Sequence, residues 1–161
     1  MGQVQAIPEA LKGATPYLCC EDAAAALDFY AEAFGAVETV RFAEPSGRIG
    51  HAEFKVGDAV VMLSDEYPEM DVRGPRSLGG TPVMIHLYVP DVDAFVRRAI
   101  DAGAELLRPL ADQFYGDRSA QLEDPFGHRW SIATHVEDVS PEELQRRFRA
   151  LMSGAGGGTT H

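Results

Sequence analysis

The second half of the sequence repeats the first at an offset of about 70 residues. An aspartate that can open a helix occurs at Asp22 and again, 69 positions later, at Asp91. A glycine between two apolar segments occurs at Gly57 and, 70 positions later, at Gly127. The pattern of apolar residues, caps and turns in each half predicts one strand, one helix and three further strands. The duplication therefore predicts an α+β fold in which two βαβββ repeats form a mixed, curled sheet around a cavity, plus a short C-terminal helix.

Helix caps and turns set the boundaries of these repeats. Asp22 and Asp91 are candidate N-caps, and Ser140 to Glu143 form a capping box with proline at the first helical position. The predicted parts are a lead-in at 1–13, the first repeat at 14–64, a linker at 65–81, the second repeat at 82–136, the C-terminal helix at 137–152 and a disordered tail at 153–161. A linker of this length is either a crossover connection or a lid over a binding site.

Composition narrows the class of protein. A chain of 161 residues with 45% hydrophobic residues is typical of one soluble globular domain. The net charge of −11 argues against a nucleic-acid partner, which would need a basic surface. Neither a membrane span nor a secretory signal is expected from the apolar runs. The only two cysteines, Cys19 and Cys20, are adjacent, which excludes a disulfide framework and indicates a cytoplasmic protein.

Three motifs carry a resemblance to a known superfamily. Asp-Pro-Phe-Gly-His-Arg-Trp at 124–130 and Tyr-Val-Pro-Asp-Val-Asp-Ala at 88–94, on the duplicated frame, resemble the vicinal oxygen chelate superfamily. Its members include glyoxalase I, extradiol dioxygenases, fosfomycin-resistance enzymes and bleomycin-resistance proteins. The segment Phe-Tyr-Gly-Asp-Arg at 114–118 is similar to that of the small glyoxalase/bleomycin-resistance-type proteins. The resemblance covers residues 14–136.

The resemblance also implies where a metal would be bound. In metal-dependent members, the four ligands lie seven residues before each helix-opening aspartate and four residues after each turn glycine. Counting in this sequence gives Thr15, Met84, Val61 and Ser131. None supplies the imidazole, carboxylate or thiolate that divalent transition metals prefer. The usual metal site is therefore expected to be absent, and no cofactor is favoured.

A divalent metal bound elsewhere is the alternative. His51 and Glu53 share one face of a predicted strand, and His86 shares a strand face with Met84. These three side chains would serve a metal-dependent lyase or isomerase of the glyoxalase type, and Glu53 or His86 could act as a base without a metal. The other interpretation is that His51 and Glu53 form polar pairs on a half-exposed sheet, and that His86 is a hydrogen-bonding pocket residue.

The bleomycin-resistance relatives imply a pocket that holds its ligand by stacking and shape. We expect this chain to bind a small aromatic or anionic molecule, and we expect a homodimer, because relatives build cavities between subunits and sometimes exchange repeats. The expected ligand-binding residues are Tyr17, His51, His86, Tyr88, Phe114, Tyr115, Arg118, Arg129 and Ser131. Arg118 could instead pair with Asp117, and Trp130 should point away from the cavity into the core under a helix.

Overall fold

The computed structural model describes residue 2 and residues 4–155. The strands are β1 (Tyr17–Cys20), β2 (Val37–Ala43), β3 (Ile49–Val56), β4 (Ala59–Asp65), β5 (Met84–Tyr88), β6 (Glu105–Asp112), β7 (Asp117–Glu123) and β8 (Arg129–His135). The helices are α1 (Ala23–Phe34), α2 (Pro75–Leu78), α3 (Val92–Asp101) and α4 (Pro141–Ala155), and single 3-10 turns occur at Glu9–Leu11 and Pro68–Met70.

The strands form two four-stranded sheets with the same topology. Their orders are β1-β4-β3-β2 and β5-β8-β7-β6. In each sheet the first strand runs parallel to the last strand of its repeat, and the other neighbours are antiparallel. The α+β fold with two βαβββ repeats and a C-terminal helix is therefore confirmed, with the mixed sheet divided into one sheet per repeat.

Equivalent residues start the central helix of each repeat. The side chains of Asp22 and Asp91 each accept a hydrogen bond of 3.0 Å from the backbone N–H three residues later. A second side chain, at the end of the last strand, accepts from the first N–H of the helix: Asp65 at 2.7 Å in one repeat and Thr134 at 2.9 Å in the other. Both helix N-termini are thus capped and tied to their own sheet.

The turn after β7 joins the two repeats through a buried carboxylate. Asp124 is 3% exposed and accepts hydrogen bonds from the Tyr30 hydroxyl of α1 and from the Trp130 indole of β8. The backbone N–H groups of Phe126 and His128 donate to its other oxygen. The Trp130 ring packs edge-on against Tyr30, which confirms the predicted core position of Trp130. Helix α1 of the first repeat and the turn after β7 in the second repeat therefore belong to the same hydrophobic core.

The second part of the linker is a crossover that ends against the same turn. Arg76 in α2 donates a hydrogen bond of 2.7 Å from Nε to the Pro125 carbonyl. Gly127 has φ +88°, and a Cβ there would lie 2.9 Å from Cβ of Pro75. Glycine at this position therefore permits both the backbone conformation and the close approach of α2.

The C-terminal helix α4 contacts the end of the second repeat. Arg147 pairs with Glu137 at 2.7 Å and donates to the Phe114 carbonyl at 3.1 Å. The Phe148 ring lies 5.8 Å from the Phe114 ring. The helix continues to Ala155, and the rest of the predicted disordered tail, 156–161, lies outside the described residues.

Within the part of the chain that the structure describes, none of the helices has the length and apolar character needed to span a bilayer.

Candidate functional site on the open sheet faces

Each sheet has one face covered by helices and one face that the described residues leave open. On β1, Tyr17 is 56% exposed while its neighbour Leu18, on the other face, is 4% exposed. On β5, Met84, His86 and Tyr88 are exposed in the same alternating pattern. We call the face that carries these exposed residues the open face of each sheet.

A chain of hydrogen bonds crosses the open face of the first sheet. The Tyr17 hydroxyl lies 2.6 Å from Nδ1 of His51, and Nε2 of His51 lies 3.0 Å from a carboxylate oxygen of Glu53. The ring of Phe42 is stacked on His51 with an interplanar angle of 26°. The structure therefore brings three predicted site residues into direct contact and adds Phe42, which the sequence analysis did not select.

An apolar cavity of about 540 Å³ lies beside this chain of hydrogen bonds, at Tyr17. The cavity is lined by Tyr17 and Cys19 of β1, by Ser64 of β4, and by Tyr67, Met70 and Val72 of the linker. Burial, followed by the charges of two neighbouring acids, raises the pKa of the Cys19 thiol to about 11. Cys19 is therefore a neutral lining group rather than an activated nucleophile.

The first part of the linker forms a wall of this cavity. The Tyr67 hydroxyl donates a hydrogen bond of 3.0 Å to Glu44, and the Arg48 guanidinium lies 3.8 Å from the centre of the Tyr67 ring. Arg48 also pairs with Glu69 at 3.0 Å. These contacts fasten residues 65–74 to the β2–β3 hairpin. Residues 65–74 thus form a wall of the cavity, and the rest of the linker crosses to the second repeat.

The open face of the second sheet carries a different polar network. Nδ1 of His86 lies 2.9 Å from the Ser131 hydroxyl. The Tyr88 hydroxyl donates to Asp117 at 2.6 Å, and Nδ1 of His135 lies 2.8 Å from the other oxygen of the same carboxylate. His86, Ser131 and Tyr88 were predicted site residues, whereas Asp117 and His135 were not identified as such.

The protonation of this network follows from its hydrogen bonds. Burial of Asp117 acts to raise its pKa, but the hydrogen bonds from Tyr88 and His135 outweigh it, so the pKa is lowered. The hydrogen bond to Asp117, assisted by Asp138, raises the pKa of His135 above its ordinary value. The carboxylate therefore favours its charged form, held between a phenol and an imidazole.

The alternative metal ligands lie in two separate places. His51 is bonded to Glu53 on the first sheet, whereas His86 lies on the second sheet with Ser131. His86 also lines a cavity of about 280 Å³ between the repeats, together with Thr15. Among residue 2 and residues 4–155, no three His, Cys, Asp or Glu side chains are grouped so that they could hold a metal ion.

One of the four counted metal positions is wrong. Val61 is 3% exposed and belongs to the core, on the face covered by helices. Met62 is the residue that pairs with Tyr17 in β1, just as Ser131 pairs with His86 in β5. The equivalent position in the first repeat is therefore Met62.

The two predicted arginines are both paired with acids. The Arg118 guanidinium binds Asp93 through two hydrogen bonds of 2.8 and 2.9 Å and also contacts Asp112 at 3.2 Å. The alternative interpretation, in which Arg118 pairs with the adjacent Asp117, is thus wrong, because these two other aspartates are its partners. Arg129 pairs with Glu123 at 3.2 Å and remains about half exposed.

The predicted aromatic residues before β7 have different surroundings. The Phe114 ring lies 5.2 Å from Tyr115, and its other contact is with α4. Tyr115 is exposed. Phe114 therefore packs between its own segment and the C-terminal helix, while Tyr115 stays accessible.

Comparison with known proteins agrees with the duplicated fold. The family model for the glyoxalase/bleomycin resistance protein/dioxygenase superfamily matches residues 11–132, from before the first repeat into the last strand of the second. The chain belongs to this superfamily. Proteins with the same fold can carry out many different reactions, so membership of the glyoxalase superfamily does not identify the activity. The site must be judged from its own residues.

Similar sequences and structures support the same assignment. An uncharacterized protein of Mycobacterium tuberculosis strain H37Rv is 46% identical over 89% of this chain and 84% of its own length. The crystal structure of TioX from Micromonospora sp. ML1 has 28% identity and a TM-score of 0.61, covering 77% of this chain and 100% of that one. A glyoxalase/bleomycin resistance protein/dioxygenase family enzyme from Burkholderia phytofirmans shares the fold, with 22% identity and a TM-score of 0.58 over 74% of this chain and 95% of that one.

The site residues that sequence reasoning missed in this glyoxalase-superfamily protein leave a weak signal. Phe42 lies opposite His51 in the β2–β3 pair, so strand pairing alone could have selected it. Asp117 and His135 are opposite each other in β7 and β8, 18 positions apart. Tyr67 lies in the linker, where no periodic pattern indicates which side chains turn toward the sheet.

Proposed function

We propose that this glyoxalase-superfamily protein binds a small aromatic molecule in the cavity beside Tyr17. The observation that carries the proposal is the apolar cavity of about 540 Å³ lined by Tyr17, Tyr67, Met70 and Val72. Ligand cavities commonly have 300–1,000 Å³, apolar walls and a few placed polar groups. The hydrogen-bonded series of Tyr17, His51 and Glu53 supplies polar groups at the border of the cavity.

Aromatic surface at this border favours a flat ligand. The rings of Tyr17 and Phe42 both contact His51, at centroid distances of 5.4 and 6.1 Å. Stacking on such rings contributes roughly 0.5–1.5 kcal/mol beyond the area that it buries. A ligand of roughly 20 non-hydrogen atoms at about 0.3 kcal/mol per atom would bind with a Kd of tens of micromolar.

The ion pairs of the two arginines favour an aromatic ligand over an anionic one. Arg118 is held by Asp93 and Asp112, so an anion would have to displace two carboxylates. Arg129 is less constrained, because it has a single partner in Glu123 at 3.2 Å, and it lies on the second sheet. We therefore propose a neutral aromatic ligand on the first sheet.

Ligand binding can be tested by isothermal titration calorimetry with a panel of neutral aromatic compounds of roughly 20 non-hydrogen atoms. We expect at least one compound to bind with a Kd of tens of micromolar and one site per chain. Val72→Glu should weaken that binding at least tenfold, because it places a charge in the apolar wall at a partly buried position. Val4→Glu is the matched control at a fully exposed position, and it should change the Kd less than twofold. Equal loss in both variants, or binding by neither the wild type nor any variant, would contradict the proposal.

A homodimer is the second part of the proposal. The open faces carry the apolar side chains of Tyr17, Phe42, Met84 and Tyr88 with exposures of 45 to 66%, and exposed apolar side chains grouped on a sheet face are typical of interaction surfaces. A second copy that covers these faces would bury them and enclose the cavities. The two cysteines are both free thiols, and a cytoplasmic location is proposed for the dimer.

Sedimentation equilibrium at tens of micromolar protein should give about twice the chain mass of 17.5 kDa. Phe42→Asp should shift the protein toward the monomer, because it introduces a charge on the open face of the first sheet. Leu78 in the linker helix α2 is as exposed as Phe42, and Leu78→Asp should leave the dimer intact. A monomer for the wild type, or equal dissociation of both variants, would argue against this interface.

A further inference from the structure

The hydrogen bonds from Glu53 to Tyr17 run in one direction. The Glu53 carboxylate can only accept, so Nε2 of His51, at 3.0 Å, must carry the hydrogen. In a neutral imidazole the other nitrogen is then an acceptor. The Tyr17 hydroxyl, at 2.6 Å from Nδ1, therefore donates its hydrogen to His51.

This direction determines what Tyr17 can offer to a ligand. Its single hydrogen is already donated to His51, so the Tyr17 oxygen can only accept a further hydrogen bond. Burial and the charge of Glu53 raise the pKa of Tyr17, so the group remains a phenol. Each hydrogen bond in the chain polarises the next toward the carboxylate, which strengthens the oxygen of Tyr17 as an acceptor.

The accepting oxygen belongs to a side chain that lines the cavity. Tyr17 is about half exposed, and it borders both the cavity and the hydrogen-bond chain. Cys19 and Ser64 add a thiol and a hydroxyl to the lining, but Ser64 donates to the Asp65 carbonyl at 3.0 Å and the Cys19 thiol is directed to the same carbonyl at 3.8 Å. The Tyr67 hydroxyl also lines the cavity and donates its hydrogen to an acid at 3.0 Å, so its oxygen can accept as well, but it is not part of the hydrogen-bond chain. Tyr17 is thus the lining group whose oxygen the hydrogen-bond chain prepares as an acceptor.

We propose that the cavity selects aromatic molecules that carry a phenolic hydroxyl, and that this hydroxyl donates a hydrogen bond to the Tyr17 oxygen. The selection rests on the proposed function, because it names the ligand class of the same cavity. Tyr17 is the specificity contact, and His51 and Glu53 are positioning residues that hold its hydrogen away from the ligand.

A matched pair of probes isolates the hydroxyl. 2-Naphthol donates a hydrogen bond, whereas 2-methoxynaphthalene has the same ring system and can only accept. We expect the wild-type protein to bind 2-naphthol about tenfold more tightly, which is the effect of one hydrogen bond at a half-exposed site. Calorimetric titrations at pH 7.5 in the presence of EDTA keep both naphthol and the phenol of Tyr17 uncharged and remove adventitious metal.

Three variants assign the preference to the hydrogen-bond chain. Tyr17→Phe should weaken 2-naphthol binding about tenfold and leave 2-methoxynaphthalene binding unchanged within twofold, so that the preference disappears. Glu53→Gln should reduce the preference at least threefold, because the amide can also donate and no longer fixes the direction of the chain. Tyr67→Phe is the matched control, since it removes the other phenol of the cavity lining, which is likewise bonded to an acid, and it should leave the preference unchanged.

The outcomes separate the ligand class from the proposed function. Equal binding of both naphthalenes to the wild type would overturn the phenol selection and leave aromatic binding in the cavity intact. Binding of neither probe would count against both. Loss of the preference in Tyr67→Phe but not in Tyr17→Phe would place the contact on the linker and overturn the assignment. Binding of 2-methoxynaphthalene by Tyr17→Phe shows that the variant is folded. If the variant does not fold, the comparison of the two naphthalenes on the wild-type protein still tests the phenol selection.

Discussion

Asp124→Ala is expected to lower the free energy of unfolding by about 4 kcal/mol. The carboxylate is buried and accepts from two side chains and two backbone groups, so its removal leaves the Tyr30 hydroxyl and the Trp130 indole without their partner. Desolvated donors without an acceptor cost about 1–3 kcal/mol each, and a partial relaxation of the turn offsets some of this. Such a loss is a large part of the 5–15 kcal/mol that holds an ordinary domain together.

Urea unfolding followed by circular dichroism at fixed protein concentration measures this effect, because the unfolding slope allows the free energies to be compared. Trp130 is the only tryptophan of the chain and donates to Asp124 at 2.9 Å, so its fluorescence reports on the same site. Asp124→Asn should cost about 2 kcal/mol, since its amide oxygen can still accept from the two backbone groups but its NH₂ faces the indole donor. Asp138→Ala, an exposed aspartate, should cost less than about 0.5 kcal/mol. A loss below about 1 kcal/mol for Asp124→Ala would show that the carboxylate does not join the repeats.

Gly116→Ala is expected to lower the free energy of unfolding by about 3 kcal/mol. Gly116 has φ +97°, and a Cβ there would lie 2.1 Å from the carbonyl oxygen of Glu137. The Gly116 carbonyl also accepts from the backbone N–H groups of Val136 and Glu137. The added methyl group would therefore push away the segment that leads to α4, in addition to straining its own backbone.

Gly47→Ala separates these two causes, because Gly47 has a similar φ of +91° but a Cβ there would have no atom within 4 Å. It should cost only about 1 kcal/mol, the typical cost of the left-handed backbone conformation for alanine. Thermal and urea unfolding of the two variants under the same conditions give the difference, which measures the close approach at Gly116. A Gly116→Ala variant that is no less stable than Gly47→Ala would contradict the close packing of residues 136–139 against the turn before β7.

Local signals in the sequence predicted most of the fold correctly. The N-caps Asp22 and Asp91 and the turn glycines Gly57 and Gly127 occur where the structure has helix starts and hairpin turns. These features depend on a few neighbouring residues, so they can be identified without tertiary information.

Strand register could not be obtained from the same signals. The two aspartates are 69 positions apart and the two glycines 70, and this difference of one residue decided which face a counted position was assigned to. Counting from the glycine gave Val61, which lies in the core, instead of Met62, which pairs with Tyr17. Because side chains alternate along a strand, a shift of one residue moves a side chain to the opposite face of the sheet.

The sequence by itself determined the duplicated order of strands and helices, because caps, turns and hydrophobic periodicity act over a few residues. It also determined that His51 and Glu53 share a strand face, since that needs only the alternation within β3. Only the tertiary structure decided that Tyr17 joins them, that His86 does not, and that residues 65–74 close the side of the cavity. These contacts link residues that are 23 to 45 positions apart in the sequence, and their geometry depends on how sheets pair and pack rather than on any local preference.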